Sequence, residues 1–133
     1  MINAIEEPIR VRYAETDQMG HAYYANYLVW FEQARTALFR SRGTTYKEVE
    51  AMGYKLPVVE AWAKYREEVK YDDLIHVRVW VEEIKRASIR INYEVINTTT
   101  GKIATEGYTW HVLVGTDMKA KTIPDFLKEL FQG

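Results

Sequence analysis

The sequence predicts an α+β domain in which one long helix is covered by a curved antiparallel sheet. Residues from about 23 to 42 (YYANYLVWFEQARTALFRSR) contain no Gly or Pro and repeat apolar side chains at helical spacing. Beyond residue 57 the period changes to two and persists through four long runs separated by short polar turns, which favour antiparallel neighbours. A helix followed by such a run of strands packs as two layers around one core.

The elements follow in order. Ile9, Val11 and Tyr13 alternate with Arg10 and Arg12 in a short strand that Pro8 is expected to open. On the long helix Tyr24, Tyr27, Leu28, Phe31, Ala34 and Leu38 share a stripe, and Gly43 suits its C-terminal cap. Leu28, Val29, Trp30 and Phe31 in succession make its first half apolar nearly all round, so other elements should enclose it. The stretch TTYKEVEAMG predicts a second, short helix, with Thr45 and Glu48 at capping-box distance and Gly53 closing it. In VVEAWAKYREEVKY (58–71), Val59, Ala61, Ala63, Tyr65, Val69 and Tyr71 share one face and Lys64, Arg66, Glu68 and Lys70 the other. Val77, Val79 and Val81 repeat the alternation, as do Ile89, Ile91, Tyr93 and Val95, and KIATEGYTWHVLV carries it to Val114. Turns are expected at residues 71–73, at Lys85-Arg86 and at 97–101, and a terminal helix after Pro124.

Composition narrows the function. The 133 residues, 47% hydrophobic, are enough for one domain with its own core, taken as residues 1–133. A formal net charge of −1 supplies no basic field for a nucleic-acid backbone. The absence of cysteine removes disulfides, thiolate catalysis and Cys-based zinc sites, and fits a reducing compartment, so the cytoplasm is the expected location. No signal-peptide pattern opens the chain and no run approaches a membrane span.

Eliminations leave carboxylate chemistry. The two serines, Ser41 and Ser88, sit in no nucleophile elbow, and no Walker loop or GxGxxG is present. His21, His76 and His111 are too far apart for a ligand pair, and read as one loop residue and two strand residues. Asp17 stands in the turn before the long helix, whose start at about Tyr23 or Tyr24 offers unpaired N–H groups and the positive end of the helix dipole. Two roles are open to it: turn or cap residue, and reacting carboxylate. Glu15 competes, since the turn leaves the parity of the two side chains undecided. Lys85, Arg86 and Arg90 with Ser88 form a basic hairpin corner, either merely solvated or able to receive phosphate groups.

The block RYAETDQMGHAYYANYLVWFEQART (12–36), followed by GYKLPVVEAWAKY, YDDLIHVRVWVEEI and RASIRINYEV, resembles the hotdog-fold acyl-CoA thioesterases of the 4-hydroxybenzoyl-CoA thioesterase type. The resemblance covers most of the chain. It implies the hotdog fold, hydrolysis of an acyl-CoA to free acid and CoA, and no metal or other cofactor. It also implies that Asp17 is the catalytic carboxylate and that the backbone N–H of Tyr24 binds the thioester carbonyl. Many relatives carry His at the position of Tyr24, so an imidazole is not part of the role here, and that role does not pass to His21. By looser correspondence Lys85, Arg86 and Ser88 meet the nucleotide end of CoA. Glu68-Val69 departs from the Pro-Ala common in relatives, without a functional reading. The resemblance further implies a dimer joined sheet edge to sheet edge, often paired into a tetramer, with the active site at the subunit boundary; open edges agree with this. Two alternatives stand beside hydrolysis: a non-catalytic acyl-CoA binding module, and a hydratase or dehydratase on the same fold.

Overall fold

The computed structural model describes residues 3–132; Met1, Ile2 and Gly133 of the expected domain lie outside the described residues. Strand β1 (Ile5–Arg10) runs through a 3-10 turn (Tyr13–Glu15) towards helix α1 (Asn26–Ser41) and the short α2 (Tyr46–Ala51). Strands β2 (Val58–Tyr65), β3 (Leu74–Ile84), β4 (Ser88–Asn97) and β5 (Lys102–Val112) follow, then α3 (Asp125–Gln132). The five strands form one antiparallel sheet in the order β1-β3-β4-β5-β2. No helix among the described residues is long and apolar enough to cross a membrane.

Helix α1 packs its Tyr27, Trp30, Phe31, Ala34 and Leu38 stripe against the inner sheet face of Ile75, Val77, Val79, Ile89, Ile91, Tyr93 and Val95. The ring of Phe31 stacks on that of Tyr93 with centroids 4.3 Å apart. Gly107 makes this approach possible, because a Cβ there would lie 2.5 Å from the Phe31 ring and 2.8 Å from the Trp62 carbonyl. Trp30 and Phe31 have no exposed surface, and each burial contributes on the order of 2–3 kcal/mol. Helix α2 has the expected cap, the Glu48 amide donating to Thr45 Oγ1 at 3.1 Å.

Four expectations are corrected. Helix α1 begins at Asn26, not at Tyr23 or Tyr24, because residues 23–26 form a separate turn in which the Asn26 amide donates to the Tyr23 carbonyl. Leu28, assigned to the buried stripe, is 45% exposed, and Val29 beside it is also open. Pro8 lies inside β1, paired with His76, rather than at its start; β1 is an edge strand, so the missing N–H interrupts no second ladder. Finally, β2 ends at Tyr65, and its neighbour is β5, not β3. Residues 66–73 are long enough to carry the chain past the start of α1 to the other side of the sheet. Edge position also explains why most β2 side chains are exposed; a register irregularity between Val58 and Glu60 interrupts the alternation, and beyond it Trp62 stacks on Tyr108 outside while Tyr65 packs on Tyr27 inside.

Candidate active site

The loop between β1 and α1 is built around Asp17. Its amide donates to the His21 carbonyl at 2.8 Å, and its Oδ1 accepts from the Met19 and His21 amides at 2.8 and 3.2 Å. Gly20, with φ of 79°, supplies the left-handed residue that closes this small hairpin. Oδ2 has no partner among the described residues, and the side chain is exposed. The turn role and an open carboxylate oxygen therefore coexist in one residue. Glu15 is different: 5% exposed, it accepts from the Arg12 amide with Oε1 and from the Trp30 indole with Oε2, both at 2.8 Å. Both of its oxygens are occupied.

Ahead of α1 the backbone leaves donors unused. Ala25 caps the helix in helical conformation with no side-chain hydrogen bond, and the first turn has no acidic residue. Among the described residues the amides of Tyr24 and Ala25 have no acceptor, whereas those of Asn26 and Tyr27 bond back to residues 23 and 24. Unpartnered amides at a helix start suit a developing negative charge on oxygen. The Tyr24 side chain is 60% exposed, and its hydroxyl lies 3.3 Å from that of Tyr23. That contact raises the Tyr23 phenol above its usual range, and burial does the same for Tyr27 and Tyr65. These phenols stay protonated near neutrality.

Beside this turn runs an open groove of about 250 Å³ lined by His21, Tyr24, Tyr27, Tyr65 and residues 66–69. The 66–73 link forms its wall, held by the Ala22 amide on the Val69 carbonyl at 2.7 Å. This gives Glu68-Val69 a structural reading: Val69 is buried, and Glu68 pairs with His21 Nε2 at 3.0 Å. His21 is a wall residue with a carboxylate partner.

The basic corner lies elsewhere. Lys85 sits over the Trp110 ring, Arg86 donates to Thr122 Oγ1 at 3.0 Å, and Ser88 opens β4. The Asp17 loop meets residues 70–73 before β3, and Lys85 follows β3, so the length of that strand separates them, on the order of 30 Å. The chain brings Asp17 and Tyr24 onto one loop and does not bring Lys85, Arg86 or Ser88 to them. Arg90, the fourth residue of the corner, lies over Tyr108 on the outer face.

One polar constellation went unread in the sequence. The inner face of β5 carries Thr105, Gly107, Thr109 and His111, where an apolar face was expected. Arg35 donates to the Tyr93 hydroxyl at 3.2 Å, Tyr93 lies 2.7 Å from Thr109, Thr109 lies 2.8 Å from His111 Nε2, and His111 Nδ1 lies 2.9 Å from the Leu56 carbonyl. Burial depresses the His111 pKa to about 4, so it is neutral at pH 7. The guanidinium only donates and the carbonyl only accepts, which fixes every proton between them. Alternating small and polar residues on a strand whose partners are apolar was the available signal.

Residues 11–131 match the family model of the thioesterase-like superfamily. The YneP protein of Bacillus subtilis is 37% identical over 82% of this chain and 78% of its own length. The acyl-CoA thioesterase YbgC of Haemophilus influenzae is 35% identical over 73% of this chain and 72% of its own. Among solved structures, a DHNA-CoA thioesterase from Staphylococcus aureus superposes with a TM-score of 0.87 at 32% identity, covering 96% of this chain and 88% of that one.

Proposed function

This chain belongs to the thioesterase-like superfamily, and from that premise we propose that it hydrolyses acyl-CoA thioesters to the free carboxylic acid and CoA. The reading is carried by one observation: a carboxylate with a free oxygen and the two unpartnered amides of the turn that leads into α1 share one short loop. In this reading the thioester carbonyl accepts from the Tyr24 amide, which stabilises the oxyanion as it develops. Asp17 Oδ2 either attacks the acyl carbon, giving an acyl anhydride that water then opens, or takes a proton from an attacking water. In both routes the C–S bond breaks and CoA leaves as its thiolate. The residues require no cofactor. Release of free thiol from a panel of aromatic, short-chain and long-chain acyl-CoAs tests the proposal, and a chain that releases CoA from none of them refutes it.

The assembly is part of the same proposal. Strand β2 is hydrogen-bonded on one side only and exposes Val58, Val59, Trp62 and Tyr65, with Leu28 and Val29 of α1 also open. The opposite edge, β1, carries Pro8, Glu6 and Glu7 and is blunted against pairing. Joining two copies along β2 covers the open apolar residues and sets the far end of one sheet towards the Asp17 loop of the other. Light scattering should then give a mass at least twice that of the chain; a monomer at micromolar concentration contradicts this arrangement.

Such pairing also supports a role for Lys85, Arg86 and Ser88 with the CoA phosphates of the partner's substrate. Arg86→Ala should raise KM for acyl-CoAs several-fold while leaving KM for thioesters without the nucleotide unchanged, since removal of one charged hydrogen bond acts on binding alone. Equal effects on both substrate types would remove the corner from CoA recognition.

A further inference from the structure

Glu15 accepts four hydrogen bonds, three of which, from Tyr23, Asn26 and Trp30, join the two halves of the candidate site. Its carboxylate accepts from the Arg12 amide and the Trp30 indole, both at 2.8 Å. Its backbone carbonyl accepts from the Tyr23 amide and from Asn26 Nδ2, again both at 2.8 Å. Asp17 follows two residues later in the chain, and Tyr24 directly follows Tyr23. A short mechanical link between the Asp17 loop and the Tyr24 amide, beside the hairpin of residues 16–22, therefore passes through this one residue. Its far anchor is firm: Trp30 is fully buried and packs edge-on against Tyr27, ring centroids 4.8 Å apart.

We propose that Glu15 is a positioning residue for the reaction, setting the distance and angle between the Asp17 carboxylate and the Tyr24 amide. The inference rests on the thioesterase reading above and goes beyond it. A carboxylate suits the place because two N–H donors converge on it from different elements, and both of its oxygens only accept. A glutamine of the same shape has one acceptor oxygen and one NH2 group. Whichever way it turns, the NH2 faces either the Arg12 amide or the Trp30 indole, and two donors are opposed in a buried site. The 3-10 turn must then shift away from α1, carrying Asp17 with it. The substitution removes none of the hydrogen bonds that Asp17 Oδ1 accepts and none of the 66–69 wall of the groove, so kcat should suffer more than substrate binding.

Glu15→Gln should lower kcat roughly 10- to 100-fold, as displacement of reacting groups by about an ångström does, with KM changed less than about threefold and a cooperative melt retained. The Tyr24 and Ala25 amide resonances, observed without substrate, should move. Trp30→Phe removes one of the two opposed donors, so Glu15→Gln/Trp30→Phe should turn over at least as fast as Glu15→Gln alone. Wild-type kcat in Glu15→Gln, unmoved amide resonances, or losses that simply multiply in the double variant would each overturn the positioning role. If wild-type protein releases no CoA, the thioesterase reading falls and this role with it; an active wild type beside an unaffected Glu15→Gln sinks this role alone.

Discussion

Asp17→Asn is expected to reduce CoA release from the best acyl-CoA by roughly 10³-fold, within the range that loss of a nucleophile or general base produces. Asparagine keeps an oxygen at the position of Oδ1, where it continues to accept from the Met19 and His21 amides. The hairpin should survive unchanged. What disappears is Oδ2, replaced by an NH2 group that can neither attack an acyl carbon nor accept a proton from water. Because Asp17 is exposed, the substitution should alter stability by no more than about 0.5 kcal/mol, and acyl-CoA binding should persist. Thiol release measured under single turnover, together with titration of an acyl-CoA onto the variant, separates the two quantities. A rate within threefold of wild type would take Asp17 out of the chemistry. Binding without turnover in the wild-type protein would instead favour the non-catalytic acyl-CoA module.

What the sequence made legible follows from what fixes each element. Period-two alternation and the apolar stripe of α1 are local signals, and they identified the buried face of β4 and of most of α1, where Ile89, Ile91, Tyr93 and Val95 and Trp30, Phe31, Ala34 and Leu38 are buried, but not that of β5, which turns Thr105, Thr109 and His111 inward. Strand order is a non-local property. Nothing between residues 58 and 84 states that β2 pairs with β5, because its partners lie 40 (Tyr65 to Thr105) to 53 (Val58 to His111) residues onward in the chain; residues 66–73 look like the end of a strand and a turn, and act as a crossing. Leu28 and Val29 illustrate a second limit, since an apolar side chain reads the same whether its own fold or another molecule covers it. At the site, Asp17 and Glu15 are indistinguishable by type and spacing. Their environments separate them, and those depend on where Trp30 falls after α1 has packed.

Acid should destabilise the protein through His111 by about 3 kcal/mol, the product of its pKa depression and the free energy per unit of pKa. The dominant cause is burial, which penalises the imidazolium; the Leu56 carbonyl opposes this, and the Arg35 charge adds to it. The hydrogen-bond chain supplies the geometric reason. Nε2 accepts the Thr109 hydroxyl, whose oxygen accepts from Tyr93, whose oxygen accepts from Arg35. A proton arriving at Nε2 opposes the Thr109 donor, and the hydroxyl cannot reverse without facing the donor behind it. The unfolded chain takes this proton near pH 6.5, whereas the folded chain resists until about pH 4. The unfolded state thus binds more protons between those values, and stability falls as pH falls through that window. Urea unfolding of wild type and His111→Asn at pH 7.5 and pH 4.5 isolates the contribution. The variant should be weaker at pH 7.5, having lost the acceptor for Thr109, yet should lose about 2–3 kcal/mol less than wild type on acidification. Parallel losses in the two proteins would show that other groups carry the acid sensitivity and that His111 titrates alike in both states.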